Sequence, residues 1–437
     1  MNSLKTIARN FTKILANFKN RLILLSILTG IISGFGAIFF RTLIIFFHKI
    51  FFEHIGTILM VNTKPFLFPL IPALGGFIVG IIIYWGAKEA RGHGVPEVME
   101  AILIKEGKIK LKVAITKIFA SAICIGSGGS AGRVGPIVQI GSTFGSFIGQ
   151  KFIKENSNFI KILLSAGAAG GISATFNAPI AGIFFSLELF LAEFKPKIFG
   201  PIIISSVTAS FISHSFIGNI PAFAIPAYTL SSFYEFFTVV ILGICAGIIG
   251  VIFIILLYKM EDIFDLLKIP QYIKPAIGGI LIGIIGIFYS NILGVGYTTI
   301  ENALEEQYNI KLLLIFLIAK LFATPLTIGS GGSGGVFAPS LFLGAMLGTL
   351  IGQLNSMVFN FNTHPGAYGI IGMGALVAAT THAPFTSILI IFEMTRNYNL
   401  ILPLMLASLI SFITASSLKE DSIYTLKLTR RGIHLRI

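Results

Sequence analysis

The sequence predicts an all-α integral membrane protein built from two copies of one helical unit, inserted in opposite senses. Three observations carry that reading. The 437 residues are 55% hydrophobic and only 11% charged, where a soluble domain carries roughly 25% charged residues. Apolar runs such as "RLILLSILTGIISGFGAIFF" from Arg21, "FFTVVILGICAGIIGVIFIILLY" from Phe236 and "IKPAIGGILIGIIGIFY" from Ile273 reach the roughly 20 residues that cross about 30 Å of hydrocarbon. Finally, the chain repeats itself. Shifted by 203 positions, Ile115 to Gln150 aligns without gaps to Ile318 to Gln353, with 17 of 36 pairs identical, among them Lys117 with Lys320 and Pro136 with Pro339.

The elements follow in order. Residues 1–20 read as a cytoplasmic N-terminal segment and 21–437 as a single membrane domain, with repeat halves at about 21–218 and 230–420 and a C-terminal helix carrying Tyr424. About ten full spans and several shorter apolar pieces are expected at this length criterion. Lys5, Arg9, Lys13, Lys19 and Arg21 precede the first run, and Lys427, Arg430, Arg431 and Arg436 follow the last; the positive-inside rule puts both termini in the cytoplasm. The crossings are then even in number. The first run is too long for a cleaved signal peptide and reads as a retained helix.

The net charge of +14 does not point to nucleic acid, because the basic residues are scattered near segment ends with no basic and aromatic surface. Cys124 and Cys245 sit in apolar stretches without metal-ligand spacing and read as small core residues. No metal or other cofactor is called for.

The chemistry lies in the glycine loops. "IGSGGSAGRVGP" (Ile125 to Pro136) and "IGSGGSGGVFAP" (Ile328 to Pro339) each end in Pro before an apolar helical run, and Pro is preorganised for a helix's first turn. Each loop therefore opens a helix inside the hydrophobic stretch. Such an end carries unpaired N–H groups and about half a positive charge, tolerated at membrane depth only where it is buried in protein or lines a cavity. It wants an anion. "GHGVPEVMEAIL" from Gly92 is a third loop of this kind, with Pro96 opening a short amphipathic helix. Partial charges suit transport, holding an anion well enough to replace its water and weakly enough to let it go. Two such N-termini face each other across the midplane only if their segments enter from opposite sides, which favours antiparallel halves. By contrast, "GSTFGSFIG" and "GAMLGTLIG" are explained by close helix packing alone.

A nucleotide-binding membrane enzyme fits the sequence less well than a transport protein. "GSGGSG" from Gly329 fits G-x-G-x-x-G, but the flanks are membrane segments and no Asp or Glu occurs between Glu306 and Glu393, where a dinucleotide site needs a strand before the loop and an acid after it. No enzymatic activity is expected.

"GHGVPE", "GRVGP" and "GGVFAP" in order, with "SIYTL" near the end and "FNAPIAGIFFSLE" and "HAPFTSILIIFE" between, resemble the signature of the CLC family of voltage-gated-type chloride channels and chloride/proton exchangers. The likeness runs from about residue 20 to 435 and is of the prokaryotic kind, without an appended cytoplasmic CBS domain. It implies an inverted repeat of tilted and broken helices and a homodimer with one anion pathway per subunit. It also implies anion contacts from the backbone N–H groups of Arg133, Val134 and Gly135 and of Val336, Phe337 and Ala338, from the Tyr424 hydroxyl, and from Gly92 and His93 at the inner end.

The sequence departs from the family pattern at three places. Val134 stands where the motif usually has the glutamate that gates the anion and carries the proton. Leu189 follows Glu188 where proton-coupled members usually have a second glutamate. His93 replaces a serine. The expectation is a passive chloride channel in a cell membrane, its partners being small monovalent anions, the bilayer and a second copy of the chain. The alternative is a chloride/proton exchanger with another proton route, through His93 or a water chain; a fluoride exporter fits the Tyr424 context less well. Lys117 and Lys320 are expected to add positive potential or to pair with acids or carbonyls, Glu188 and Glu393 to make helix-packing hydrogen bonds, and His382 to serve a turn.

Overall fold

The computed structural model describes residues 18–59, 64–153, 156–191, 196–218, 223, 234–359 and 364–433. Of the charges read as orienting the termini, Lys5, Arg9, Lys13 and Arg436 lie outside them. The first half holds α1 (Phe18–His48), α2 (Leu70–Trp85), α3 (Val95–Ile104), α4 (Leu111–Gly126), α5 (Val134–Phe152), α6 (Ser157–Phe176), α7 (Pro179–Ser186) and α8 (Pro196–Ile217). The second half repeats that order as α9 (Glu235–Leu266), α10 (Lys274–Phe288), α11 (Tyr297–Leu304), α12 (Ile310–Gly329), α13 (Phe337–Phe359), α14 (Pro365–Thr381), α15 (Pro384–Thr395) and α16 (Ile401–Leu418). A short α17 (Thr425–Thr429) follows. Tyr424 is its N-cap, so the tyrosine precedes the helix that was expected to carry it.

Among the described residues eight helices are long and apolar enough to cross a bilayer, fewer than the count of apolar runs implied. The run from Ile273 is one that falls short. Its helix starts at Lys274 with Pro275 in the first turn and ends at Phe288, giving 15 residues, or about 22 Å at 1.5 Å per residue. Pro179–Leu191 and Pro384–Thr395 are likewise short. At the other extreme, α1 has 31 residues and α9 has 32, about 48 Å for the longer, so they exceed a bilayer core unless tilted.

Small residues let backbones touch at matched crossings. A Cβ on Gly141 would lie 2.2 Å from the Gly167 carbonyl oxygen where α5 meets α6, and one on Gly344 would lie 2.3 Å from that of Gly372 where α13 meets α14. The glycine spacing in these helices is a packing device. Between the halves the contacts are exchanged: a Cβ on Gly76 would strike the Pro275 carbonyl oxygen at 2.2 Å, and one on Gly279 would strike that of Pro72 at 2.2 Å. Residues 72 and 76 correspond to 275 and 279 at the repeat shift, so residue i meets j while j's counterpart meets i's. That is the signature of a two-fold relation. One hydrophobic core runs through both halves, from Val134 and Ile172 to Phe337 and Tyr424. Cys124 and Cys245 are free thiols, Cys124 buried and Cys245 partly so.

The paired acids complete the symmetry. The Glu188 carboxylate accepts from the N–H groups of Phe385 (3.1 Å) and Thr386 (2.7 Å) and from the Thr386 hydroxyl (2.6 Å). Glu393 accepts from the N–H groups of Ile180 (3.0 Å) and Ala181 (2.7 Å). Each half thus caps the Pro-led helix of the other, satisfying donors that have no intrahelical partner. The expected packing hydrogen bonds are these caps. His382 ends α14 in the left-handed conformation, φ 54°, as Asn177 ends α6 with φ 59°. Its turn role follows from that geometry.

Candidate functional site

The three glycine loops meet. Gly132 and Gly335, equivalent at the repeat shift, pair as an isolated antiparallel bridge, Gly132 N–H donating to Gly335 O at 2.7 Å and Gly335 N–H to Gly132 O at 2.6 Å. The Gly92 loop joins from the side, its N–H donating to Gly332 O at 3.0 Å and its carbonyl accepting from Gly334 N–H at 3.3 Å. A Cβ on Gly135 would stand 2.0 Å from the His93 carbonyl oxygen and 3.1 Å from Gly335 Cα. Only glycine fits there.

This pairing sets α5 and α13 nose to nose. Helix α5 begins at Val134 with Arg133 as N-cap and no side chain capping its first turn, and α13 begins at Phe337. Val134, Val336, Phe337 and Ala338 are each at most 1% exposed, and Gly135 is buried. The Arg133 guanidinium lies 5.0 Å from the Tyr297 ring centroid and 5.8 Å from that of Phe176, and Phe176 in turn packs 6.1 Å from Phe337.

His93 is buried and its ring lies 5.7 Å from that of Tyr424, centroid to centroid. Both are held from behind by Tyr258 of α9. Its hydroxyl lies 3.3 Å from His93 Nε2 and donates to the Ile423 carbonyl at 2.6 Å, while Ile423 N–H donates to Thr380 O at 2.8 Å. A cavity of about 300 Å³ opens beside them. Gly92, His93, Tyr258, Arg91, Lys427 and Arg431 are among its walls. Of the nine predicted anion contacts, Gly92 and His93 line this cavity; the other seven do not. Leu189 sits in the π-helical turn Leu187–Leu191 after α7 and packs against the main core.

The matched lysines act as struts. Lys117 Nζ donates to the carbonyls of Ala90 (3.1 Å) and Gly92 (2.7 Å), and Lys320 Nζ to those of Ile292 (2.8 Å) and Gly294 (3.1 Å). Both are 0% exposed, and among the described residues neither makes an ion pair. They therefore fix the loops that open α3 and α11 and set two amino groups inside the protein. These bonds also reveal a repeat partner that the sequence reading missed: Gly294-Val295-Gly296 is the second-half copy of Gly92-His93-Gly94, all four glycines having positive φ. The copies are offset by 202 residues rather than 203. Tyr258 was missed as well, since a tyrosine ending an apolar run looks like an ordinary interfacial anchor.

The voltage gated chloride channel family model matches residues 75–416. A putative chloride channel protein, ClcB-like, of Ralstonia nicotianae is 35% identical over 365 residues, covering 83% of this chain and 85% of that protein. The H(+)/Cl(-) exchange transporter ClcA of Vibrio cholerae is 33% identical over 417 residues, covering 93% and 88%. Among solved structures, a slow cyanobacterial Cl-/H+ antiporter superposes with a TM-score of 0.85 at 27% identity, covering 94% of this chain and 98% of that one. With its inverted helical halves, its converging loops and these relatives, the chain belongs to the CLC family of voltage-gated-type chloride channels and exchangers, whose members are membrane anion transport proteins.

Proposed function

We propose that the chain carries chloride along a line that starts in the cavity beside Gly92 and His93, passes Tyr424, and runs between the first turns of α5 and α13. Arg133, Val134 and Gly135 form one wall; Val336, Phe337 and Ala338 form the other. The observation that carries this reading is the backbone pairing of the loops, which brings two helix N-termini from opposite halves to one place. Local charge agrees with it. Neither 107–154 nor 307–392 contains an Asp or Glu, so the helix N-termini and Arg133 make a field that favours anions.

Two modes of transport follow from different observations. Proton/chloride exchange has the better support from the relatives, since ClcA of Vibrio cholerae and the cyanobacterial protein are both named as coupling chloride to protons. It requires a proton route that uses neither position 134 nor position 189. Passive conduction rests on Val134 and Leu189, side chains that bind no proton, and on the channel name of the Ralstonia relative. Reconstituted liposomes separate the two. Uphill proton movement driven by a chloride gradient establishes exchange; chloride flux without it establishes passive flow. In the same assay Val134→Glu introduces a block relieved by acid over about pH 8 to 4, the carboxyl competing with the anion when ionised. A flat pH profile removes Val134 from the path. The proposal includes a homodimer with both termini cytoplasmic, tested by cross-linking in membranes and by impermeant thiol labelling of cysteines placed at each end.

A further inference from the structure

His93 has a fixed proton. The Tyr258 hydroxyl gives its one hydrogen to the Ile423 carbonyl at 2.6 Å, because a carbonyl oxygen only accepts. Toward His93 Nε2, 3.3 Å away, the same hydroxyl is left to accept. The neutral imidazole therefore carries its hydrogen on Nε2. Its other nitrogen, Nδ1, is a bare lone pair, buried and without a partner. An unpaired acceptor beside an anion is repulsive, and a neutral ring held this way offers chloride nothing from Nδ1. One added proton reverses that, since both nitrogens of an imidazolium are donors.

Burial first, and the surrounding charges after it, decide when the proton arrives. Lys117 of α4 and Lys427 and Arg431 of the C-terminal segment act on the ring. Glu97 stands on α3, the helix that the His93 loop opens, and holds Arg431 at 2.5 Å, while Glu100 of the same helix pairs with Arg431 too. From α9 come Glu261, paired with Lys427, and Tyr258, whose ring carries Arg430 at 5.3 Å. Burial and the basic side chains facing the ring oppose an added positive charge while the site is empty. An anion in the site removes that opposition.

We infer that His93, oriented by Tyr258, is a proton-linked anion ligand: as chloride enters beside the Tyr424 ring, Nδ1 takes one proton from water in the adjoining cavity, and it returns that proton when chloride leaves. The inference rests on the chloride pathway proposed above. By linkage the effect is mutual, so whatever factor the proton adds to chloride affinity, chloride adds to proton affinity. Tyr258 is a positioning residue, acting through His93.

The test adds chloride to purified protein in weak buffer and measures proton uptake, alongside calorimetric chloride affinity over about pH 4 to 8, a span that runs below the usual histidine range because burial holds the ring's proton affinity down. The wild type takes up protons on binding, and its affinity falls with rising pH by up to about tenfold per unit, the limit for one linked proton. His93→Ser and His93→Gln bind chloride with an affinity flat across this range and take up no protons. Tyr258→Phe frees the neutral ring to place its hydrogen on Nδ1, so chloride still binds while proton uptake falls. Wild-type chloride binding without proton uptake overturns the inference and leaves the chloride pathway standing, as does undiminished uptake in His93→Ser. No chloride binding by the wild type overturns the pathway and the inference together.

Discussion

The two halves place the same backbone around the crossing and put different side chains on it. In both, a buried lysine ties down two carbonyls of a Gly-x-Gly loop, a glycine-rich turn opens a long helix, and a glutamate caps a helix of the other half. What differs is the residue between the glycines, His93 against Val295, and the first turn of the long helix, Arg-Val-Gly against Val-Phe-Ala. The shared parts are scaffold. The positions where the duplication has been broken are the ones that differ in chemistry, and His93 and Arg133 have no counterparts in kind in the second-half loops.

Gly135 and its counterpart Ala338 are the sharpest test of that division. Gly135→Ala puts a Cβ 2.0 Å from the His93 carbonyl oxygen, and overpacking of this kind costs about 1–3 kcal/mol; the melting temperature drops and chloride flux is lost. Ala338→Gly costs about 1 kcal/mol as a helix substitution and retains flux. Equal effects of the two would break the contrast. Next come the struts. Lys320→Met strands the Ile292 and Gly294 carbonyls, at about 1–3 kcal/mol apiece, whereas in Lys117→Met the Ser333 hydroxyl still reaches Ala90 O and Gly334 N–H still reaches Gly92 O, so both variants melt earlier and Lys320→Met by more. Flux falls further in Lys117→Met, whose loop lines the cavity; equal flux losses would bring Gly294-Val295-Gly296 into the pathway.

Smaller effects attach to the caps. Glu188→Gln and Glu393→Gln each lose about 1 kcal/mol, a capping contribution, with Glu188 the larger because it holds three donors to the other's two. A thermal melt that separates them widely would deny the reciprocity. The smallest is a pH effect in the first half alone. Glu100 of α3, outside the spanning helices, is pushed up by burial but pulled down further by Lys105 at 2.6 Å and by Arg431, leaving its carboxyl below the usual range. A depressed carboxyl contributes stability above its unfolded value, about 4.3, and loses it as pH falls through the folded one. The matched residue is Asn302, bonded to the Tyr308 hydroxyl at 3.0 Å, which does not titrate. As pH falls below about 4.3, melting temperature therefore drops less steeply in Arg431→Gln, the lost partner bringing Glu100 back toward its unfolded value.

The repeat, the three glycine loops and the paired glutamates were legible in the sequence, because an ungapped alignment that keeps Lys, Phe, Pro and Gln, with Glu188 and Glu393 matched at a register two residues looser, has few physical explanations. The second-half partner of Gly92-His93-Gly94 was not. One residue of slippage and the change from His to Val hid it until Lys320 was seen to hold the Gly294 carbonyl. The short crossing at Lys274–Phe288 was overcounted, since an apolar run does not record where its helix starts. Tyr258 lies 165 residues from both His93 and Ile423, a link that no local pattern carries.

The Gly132–Gly335 pair also limits how the molecule can move. Two backbone bonds of 2.6 and 2.7 Å join the halves at equivalent residues, so rocking one half against the other, as many duplicated transporters do, would tear the joint at its pivot. The glycine loops behave as a weld and not as a hinge. Whatever opens and closes the way for the anion must then be small and local, a ring turning or a terminal segment lifting, inside a frame that stays still.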